Sequence, residues 1–373
     1  MQSATSENIH LQTIEIANLA CLRAVKLDLT PLHAFIGPND SGKSTLLRAV
    51  RTLTQCLALV AQWKAGGINL GSRPLEHVVG AKIHGKIDGL ACGVELMEGE
   101  TFKLSLQYPG LTPGHFTVVN PAVLKEAMLD SDIFERLERN VRHLEHIRKP
   151  PLLLRLDADS LRGDSDLIPE NEPVTFGEWS GQGVRGHRLP GILDRIINRG
   201  DAVFATIKEE TKRLFPTVRN ISLRNTSSSQ KGLDVELING QHVRPENMSE
   251  GLLYFLAYAA LPYLAPASIL LVEEPENGLH PARIRDVMKI LKELFKTTQV
   301  LIATHSLLVV NELEADQVTI VTRDTEKGTQ TRRLNETEDF AVRSKVYLPG
   351  ELWLNYANGV DEADLLSPKK ATP

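Results

Sequence analysis

The chain has 373 residues, 42 Lys and Arg against 47 Asp and Glu, and a formal net charge of −5; 42% of it is hydrophobic and 24% charged. That is ordinary globular composition, long enough to bury one large core or two smaller ones, and its global charge advertises no nucleic acid, which leaves only a local patch for such contacts. Three scattered cysteines (Cys21, Cys56, Cys92) form neither a disulfide framework nor a zinc pattern and fit a reducing cytoplasm, and the polar stretch Met1–His10 has no signal-peptide core.

In chain order, Leu11–Ala17, Leu22–Leu29 and Leu32–Ile36 read as short strands, with Asn18-Leu19-Ala20 and Thr30-Pro31 as turns. The third strand runs into Gly37-Pro38-Asn39-Asp40-Ser41-Gly42-Lys43-Ser44-Thr45, which fits G-x-x-x-x-G-K-[ST]. Glycines let the backbone wrap a polyphosphate with several N–H groups pointing inward. Lys43 can reach the β- and γ-phosphates, Ser44 can hold Mg²⁺, and a helix starting here adds its positive end. Leu46, Val50, Leu53, Leu57 and Val60 then recur at helical spacing, which predicts an amphipathic helix to about Lys64. The bland alternative, a glycine turn with a stray lysine, does not account for a strand before and a helix after.

Ala65 to Pro74 reads as loop, and Cys92–Met97 with Phe102–Gln107 as a β-hairpin. Residues 110–215 read as a mainly helical insertion. Ala122–Ile147 has the inner stripe Leu124, Met128, Leu137, Val141 and Leu144, and its interspersed arginines and glutamates read as a solvated face in preference to a DNA-contacting one. Asp157–Arg185 reads as loop and Ile192–Phe215 as one helix. Prolines and the lack of a heptad register argue against a coiled-coil arm. Val218–Leu223 and Leu233–Ile238 read as strands.

Gly251–Val272 carries no charge over a length that could span a membrane, but Pro262 and Pro266 interrupt it; we read a buried helix, a turn and a buried strand. Ser268 to Glu274 closes an unbroken apolar run on two carboxylates, as a central parallel strand beside a nucleotide requires. Glu273 can serve Mg²⁺ and Glu274 can orient or deprotonate the attacking water. A helix with inner face Ile284, Val287, Leu291 and Leu294 follows, then a second buried strand, Gln299–Ala303, ending in Thr304-His305-Ser306. A histidine at that strand edge can touch a γ-phosphate.

In this order the phosphate loop, Met248-Ser249-Glu250-Gly251, the run from Ile269 to Pro281 and Ile302-Ala303-Thr304-His305-Ser306 resemble ABC-type ATPases, most closely the RecF/SMC/OLD-like branch rather than transporters. The resemblance covers most of the chain outside residues 110–215. It implies a P-loop α/β head with a mostly parallel sheet, an antiparallel β subdomain and a helical insertion, in halves 1–109 and 216–335 with a tail from 336 to 373 that has room for a short helix and strand. It also implies that two heads pair head to tail around Mg-ATP. Gly37 to Thr45 would bind the nucleotide from one head and Ser249, Glu250 and Gly251 from the other. Ser44 and Glu273 would hold the metal, Asn277-Gly278-Leu279 would form the D-loop, and Lys43, Glu274 and His305 would serve turnover. Three features depart from the pattern. Glu273 replaces the usual aspartate, Ala20 stands where an arginine is common, with Arg23 as a possible substitute, and the signature is not Leu-Ser-Gly-Gly-Gln. Neither Gln62 nor Gln107 fits the Q-loop glutamine. The implied role is a cytoplasmic, membrane-free homodimeric ATPase in DNA repair or anti-phage or plasmid defence, with DNA and a nuclease or other effector as partners. The alternatives are a nucleotide-gated switch with little hydrolysis and a transporter subunit.

Overall fold

A computed structural model describes residues 10–64, 80–87, 90–96, 102–107, 114–118, 149–176, 183–337 and 340–357. The predicted helix Ala122–Ile147 therefore lies outside the described residues. The chain divides into two units, Met1–Leu153 with Ala267–Glu274 and Phe295–Pro373, and Leu154–Pro266 with Pro275–Leu294.

The first unit contains two sheets. One is antiparallel, in the order β2-β1-β4-β5-β6-β7, from β1 (Leu11–Leu19), β2 (Leu22–Asp28), β4 (Lys82–Ile87), β5 (Leu90–Leu96), β6 (Phe102–Gln107) and β7 (Gly114–Val118). Alternation sets its register: Ile14 pairs with Leu27 and Ile16 with Val25, which places all four on the buried face. The other runs β16-β15-β3-β14-β13-β8, from β3 (Leu32–Ile36), β8 (Leu152–Leu154), β13 (Ile269–Glu273), β14 (Gln299–Thr304), β15 (Val318–Asp324) and β16 (Gly328–Arg333). Here β13, β14, β3 and β15 are mutually parallel and β16 closes the edge antiparallel. Every residue of β3, β13 and β14 is buried, which is why these strands read as unbroken apolar runs. Each large side chain such as Phe35 or Ile36 contributes about 1.5–3 kcal/mol.

Helix α1 (Lys43–Lys64) packs on both sheets. Leu46, Val50, Leu53 and Leu57 are buried as their spacing predicts; the side chain of Val60 lies outside the described set. The helix is not amphipathic over its first four turns, however, because Arg51, Thr52, Thr54 and Gln55 are buried too. Threonine makes this tolerable: Thr52 Oγ1 donates to Arg48 O at 2.9 Å and Thr54 Oγ1 to Val50 O at 2.9 Å, so their hydroxyls need no outside partner. Gln299 ties the sheets together, accepting from Leu11 N at 2.8 Å and donating to Leu11 O at 3.1 Å.

In the second unit β10 (Val218–Asn225), β11 (Gln230–Leu237) and β12 (His242–Val243) form a sheet, with β9 (Ser165–Asp166) paired to β11. Its helices are α2 (Ala158–Arg162), α3 (Leu189–Arg199), α4 (Asp201–Leu214), α5 (Glu250–Ala260) and α6 (Pro281–Leu294). The stretch expected to be loop thus carries α2 and β9. The single helix expected over Ile192–Phe215 is two, because Gly200 at φ 151° takes a backbone conformation a helix cannot continue through. The uncharged run resolves into α5, a short 3-10 turn at Leu261–Tyr263 and β13, and no described helix is long and apolar enough to cross a membrane. Three short helices complete the first unit, α7 (Leu307–Val310), α8 (Phe340–Arg343) and α9 (Pro349–Ala357), and the described part of the tail holds no strand.

Candidate functional site

Parallel strands deliver their C-terminal ends to one sheet edge. Thr304 is level with Ile36, and Glu273 with Ala303, so the phosphate loop, the two carboxylates and His305 leave the sheet side by side. Ile320 is also level with Ile36, which brings the end of β15 to the same edge.

The loop between β3 and α1 is tightly held. Asp40 (φ 63°) and Gly42 (φ 106°) turn it through left-handed conformations. A Cβ on Gly37 would lie 1.9 Å from Val321 O, so only glycine lets the loop pass β15. Lys43 is buried and donates from Nζ to Gly37 O at 2.8 Å and to Pro38 O at 2.7 Å, which curls its ammonium back into the loop. Thr329 on β16 donates from Oγ1 to Ser41 O at 2.8 Å and from its backbone N to Cys21 O at 2.9 Å, clasping the phosphate loop and the β1–β2 turn together.

A cavity of about 820 Å³ opens beside this loop, lined by Asn39, Asp40, Gly42, Lys43, Ser44, Thr45 and Glu274, with a far wall from Ala20, Cys21, Arg23, Arg323, Asp324, Thr325 and Gly328. Gly37, Pro38 and Ser41 shape the loop from behind. Glu274 has φ 48°, a left-handed conformation that costs a non-glycine residue about 1–2 kcal/mol. Its N–H still donates to Ala303 O at 2.7 Å. The strand thus ends in a kink that turns the Glu274 carboxylate toward the cavity, while Glu273 stays buried at the sheet edge. His305 Nδ1 lies 3.7 Å from Glu274 Oε1, both half-exposed, a distance that becomes an ion pair when the imidazole is protonated.

The far wall was not legible as part of the site. Arg23 donates to Glu326 O, and Arg323 Nη1 lies 3.5 Å from Asp40 O, so two guanidinium groups share the lining. Asp324 accepts from the backbone N–H groups of Lys327 and Glu326, which hold its carboxyl below the ordinary range. The only sequence signal for this wall is the polar turn from Asp324 to Gly328 between two β-rich runs.

Ser249, Glu250 and Gly251 lie in the second unit, and the cavity lining is drawn from the first alone. Ser249 is the N-cap of α5 by its backbone (φ −63°, ψ 139°), yet its side chain makes no capping bond and is exposed. A Cβ on Gly251 would meet Gly278 O at 3.3 Å, so the helix start packs closely on the turn Asn277-Gly278-Leu279. Gly278 at φ 67° leaves room for the Tyr254 ring, which a Cβ would meet at 2.3 Å.

Ser44 Oγ and the Glu273 carboxylate are hard oxygen donors of the kind Mg²⁺ takes, one carboxylate being the usual complement when phosphates supply the rest. The chemistry of that donor pair fits the metal.

Residues 126–311 match a protein-family model described as "AAA domain, putative AbiEii toxin, Type IV TA system", and residues 10–79 match one described as "AAA ATPase domain". Over 105 residues the chain is 35% identical to an uncharacterized protein of Methanocaldococcus jannaschii, covering 26% of this chain and 27% of that one. Over 40 residues it is 45% identical to the OLD nuclease of Thermus scotoductus, covering 11% and 8%. The matched stretches are thus about a quarter or less of these curated relatives' length. The crystal structure of an SMC head bound to the C-winged helix domain of ScpA shares the fold at a TM-score of 0.50 and 14% identity, covering 87% of this chain and 97% of that chain.

Proposed function

We propose that this chain, an AAA-family ATPase domain of the RecF/SMC/OLD-like kind, binds Mg-ATP in the cavity beside Gly37–Thr45 and hydrolyses it while paired with a second copy. The observation that carries the reading is the convergence of Lys43, Ser44, Thr45 and Glu274 on one cavity at the C-terminal edge of a parallel sheet.

In this reading Lys43 exchanges the Gly37 and Pro38 carbonyls for β- and γ-phosphate oxygens, and loop N–H groups with the α1 N-terminus hold the rest. Ser44 and Glu273 hold Mg²⁺, which neutralises charge on the phosphates. Glu274 takes a proton from the attacking water, and His305, beside it, steadies the γ-phosphate. Ser249, Glu250 and Gly251 of a second copy complete the site from the other side. The uncapped hydroxyl of Ser249 and the bare backbone of Gly251 at a helix N-terminus support that role, since both remain available to an anion. Because the nucleotide contacts both copies, it biases the equilibrium toward the pair, and hydrolysis releases it.

The biological setting is a DNA-linked process in the cytoplasm, repair or defence against phage or plasmid DNA, with a nuclease or other effector as partner. The short likeness to an OLD nuclease supports the DNA link. The test compares phosphate release by the wild type and by Glu274→Gln. We expect a drop of about a hundredfold or more, as for loss of a positioned general base; equal rates would remove Glu274 from the chemistry. A second reading, a nucleotide-gated switch with little turnover, is favoured by Glu273 standing where aspartate is usual. It predicts ATP-dependent pairing by the wild type without measurable phosphate release.

A further inference from the structure

Eight large apolar side chains are exposed among the described residues, and six of them sit on three neighbouring helical pieces: Leu308 on α7, Val342 on α8, Val346, Tyr347 and Leu348 in the turn after it, and Leu354 on α9. Val342 and Val346 are 68% and 75% exposed, far more than a core position allows. A contiguous patch of several hundred Å² is more than a monomer ordinarily leaves to water.

This segment is firmly built. Tyr347 N donates to Arg343 O at 3.0 Å, and Glu351 Oε2 accepts from Leu348 N at 2.8 Å to cap α9. Leu352 and Trp353 are buried beneath it. Gly350 N donates to Asn311 Oδ1 at 2.7 Å, and a Cβ on Gly350 would lie 2.5 Å from Leu307 O. Glycine thus lets α9 lie directly on α7, the helix that begins just after His305.

The charges around the patch are of both signs. Arg343 and Lys345 alternate with Val342 and Val346, and Glu351 stands on the next helix. A two-fold axis through such a surface faces the apolar side chains with their own copies and sets the cations of one chain against Glu351 of the other. The exposed apolar area is of the order a standard interface needs in its core, out of about 800 Å² per partner.

We propose that the α8–α9 face is a second interface between copies of this chain, formed without nucleotide and distinct from the ATP-dependent pairing. It does not depend on that pairing being correct. Two different isologous contacts on one chain build assemblies larger than a dimer when both are engaged. Because α9 rests on α7, such an assembly holds the segment next to His305 in one arrangement.

The experiment is sedimentation velocity on the nucleotide-free full chain at micromolar concentration. The expected result is a dimer. Val346→Asp should raise its dissociation constant about a hundredfold, as for a buried apolar anchor replaced by a charge. Lys345→Glu should weaken it about tenfold, and adding Glu351→Lys should restore it. All three positions are exposed, so circular dichroism should be unchanged in each variant. A wild-type monomer without nucleotide would overturn the proposal and leave the patch to another protein or to the chain's own tail. A dimer indifferent to Val346→Asp would overturn it as well. Neither result bears on phosphate release by Glu274, which is measured separately.

Discussion

His33 lies in β3, three residues before the phosphate loop ends the strand, and is fully buried. Thr30 Oγ1 donates to Leu32 O at 2.6 Å, so His33 Nδ1, 3.0 Å from that hydroxyl, must be the donor to it. Nε2 then accepts from Thr319 Oγ1 at 2.8 Å, and the ring is neutral. Burial, with Arg333 adding repulsion, pushes its pKa down from 6.5 to about 3. The sign follows from proton uptake. Below the ordinary value the unfolded chain binds a proton that the fold refuses, so stability is lost as pH falls from 6.5 and the loss levels off only near 3. Each pH unit in that window is worth about 1.4 kcal/mol, which amounts to about 2 kcal/mol between about pH 7.5 and about pH 5. Urea unfolding of wild type and His33→Gln at both pH values isolates the term, because every other titrating group cancels in the difference. The variant should be less stable at the higher pH and recover about 2 kcal/mol relative to wild type at the lower one. Parallel losses in the two proteins would show that His33 is already charged in the fold, and the argument from burial would fail.

Thr329→Val removes the hydroxyl that holds Ser41 O while keeping the shape; it should cost about 1 kcal/mol of stability and weaken binding of a fluorescent ATP analogue several-fold, and unchanged affinity would show that the clasp does not shape the loop. Burial pushes the Cys56 and Cys92 thiols up to about 12, whereas Cys21 lines the cavity, so a maleimide should label the native chain at Cys21 alone and more slowly with ATP present; equal rates with and without nucleotide would separate Cys21 from the site. Glu274→Asn, which abolishes the carboxylate but tolerates the left-handed backbone better, should raise stability by up to about 1 kcal/mol while turnover is lost; a less stable variant would mean that Glu274 is not strained.

What the sequence made legible was local or periodic. The phosphate loop, the apolar strand before it, the carboxylates closing β13 and the histidine closing β14 are each written in a few consecutive residues. Parallel pairing then carries them to one edge without further instruction. What stayed hidden depended on contacts between distant segments. Nothing in Thr329 or Arg323 announces that they meet Ser41 and Asp40, because β15 and β16 reach the loop only through the sheet's strand order. The enclosure of α1 was missed for a related reason: its stripe accounts for one sheet, and the buried Arg51, Thr52 and Gln55 face a second that the helix sequence does not mention. The break at Gly200 was available in principle, since glycine inside a helical run lowers confidence in its continuity. The exposed cluster at Val342 and Val346 could not be told from core by composition, because apolar residues in a short tail read alike whether covered or not.

The clasp at Thr329 has a thermodynamic corollary. The cavity's walls come from Cys21, Gly42, Glu274 and Gly328, so no fragment of the chain contains the whole receptor. A ligand that recognises only the assembled walls adds its binding free energy to the fold, about 2.7 kcal/mol at a hundred times its dissociation constant. The melting temperature, followed while nucleotides are titrated in, would therefore rank them by affinity without any enzymatic readout.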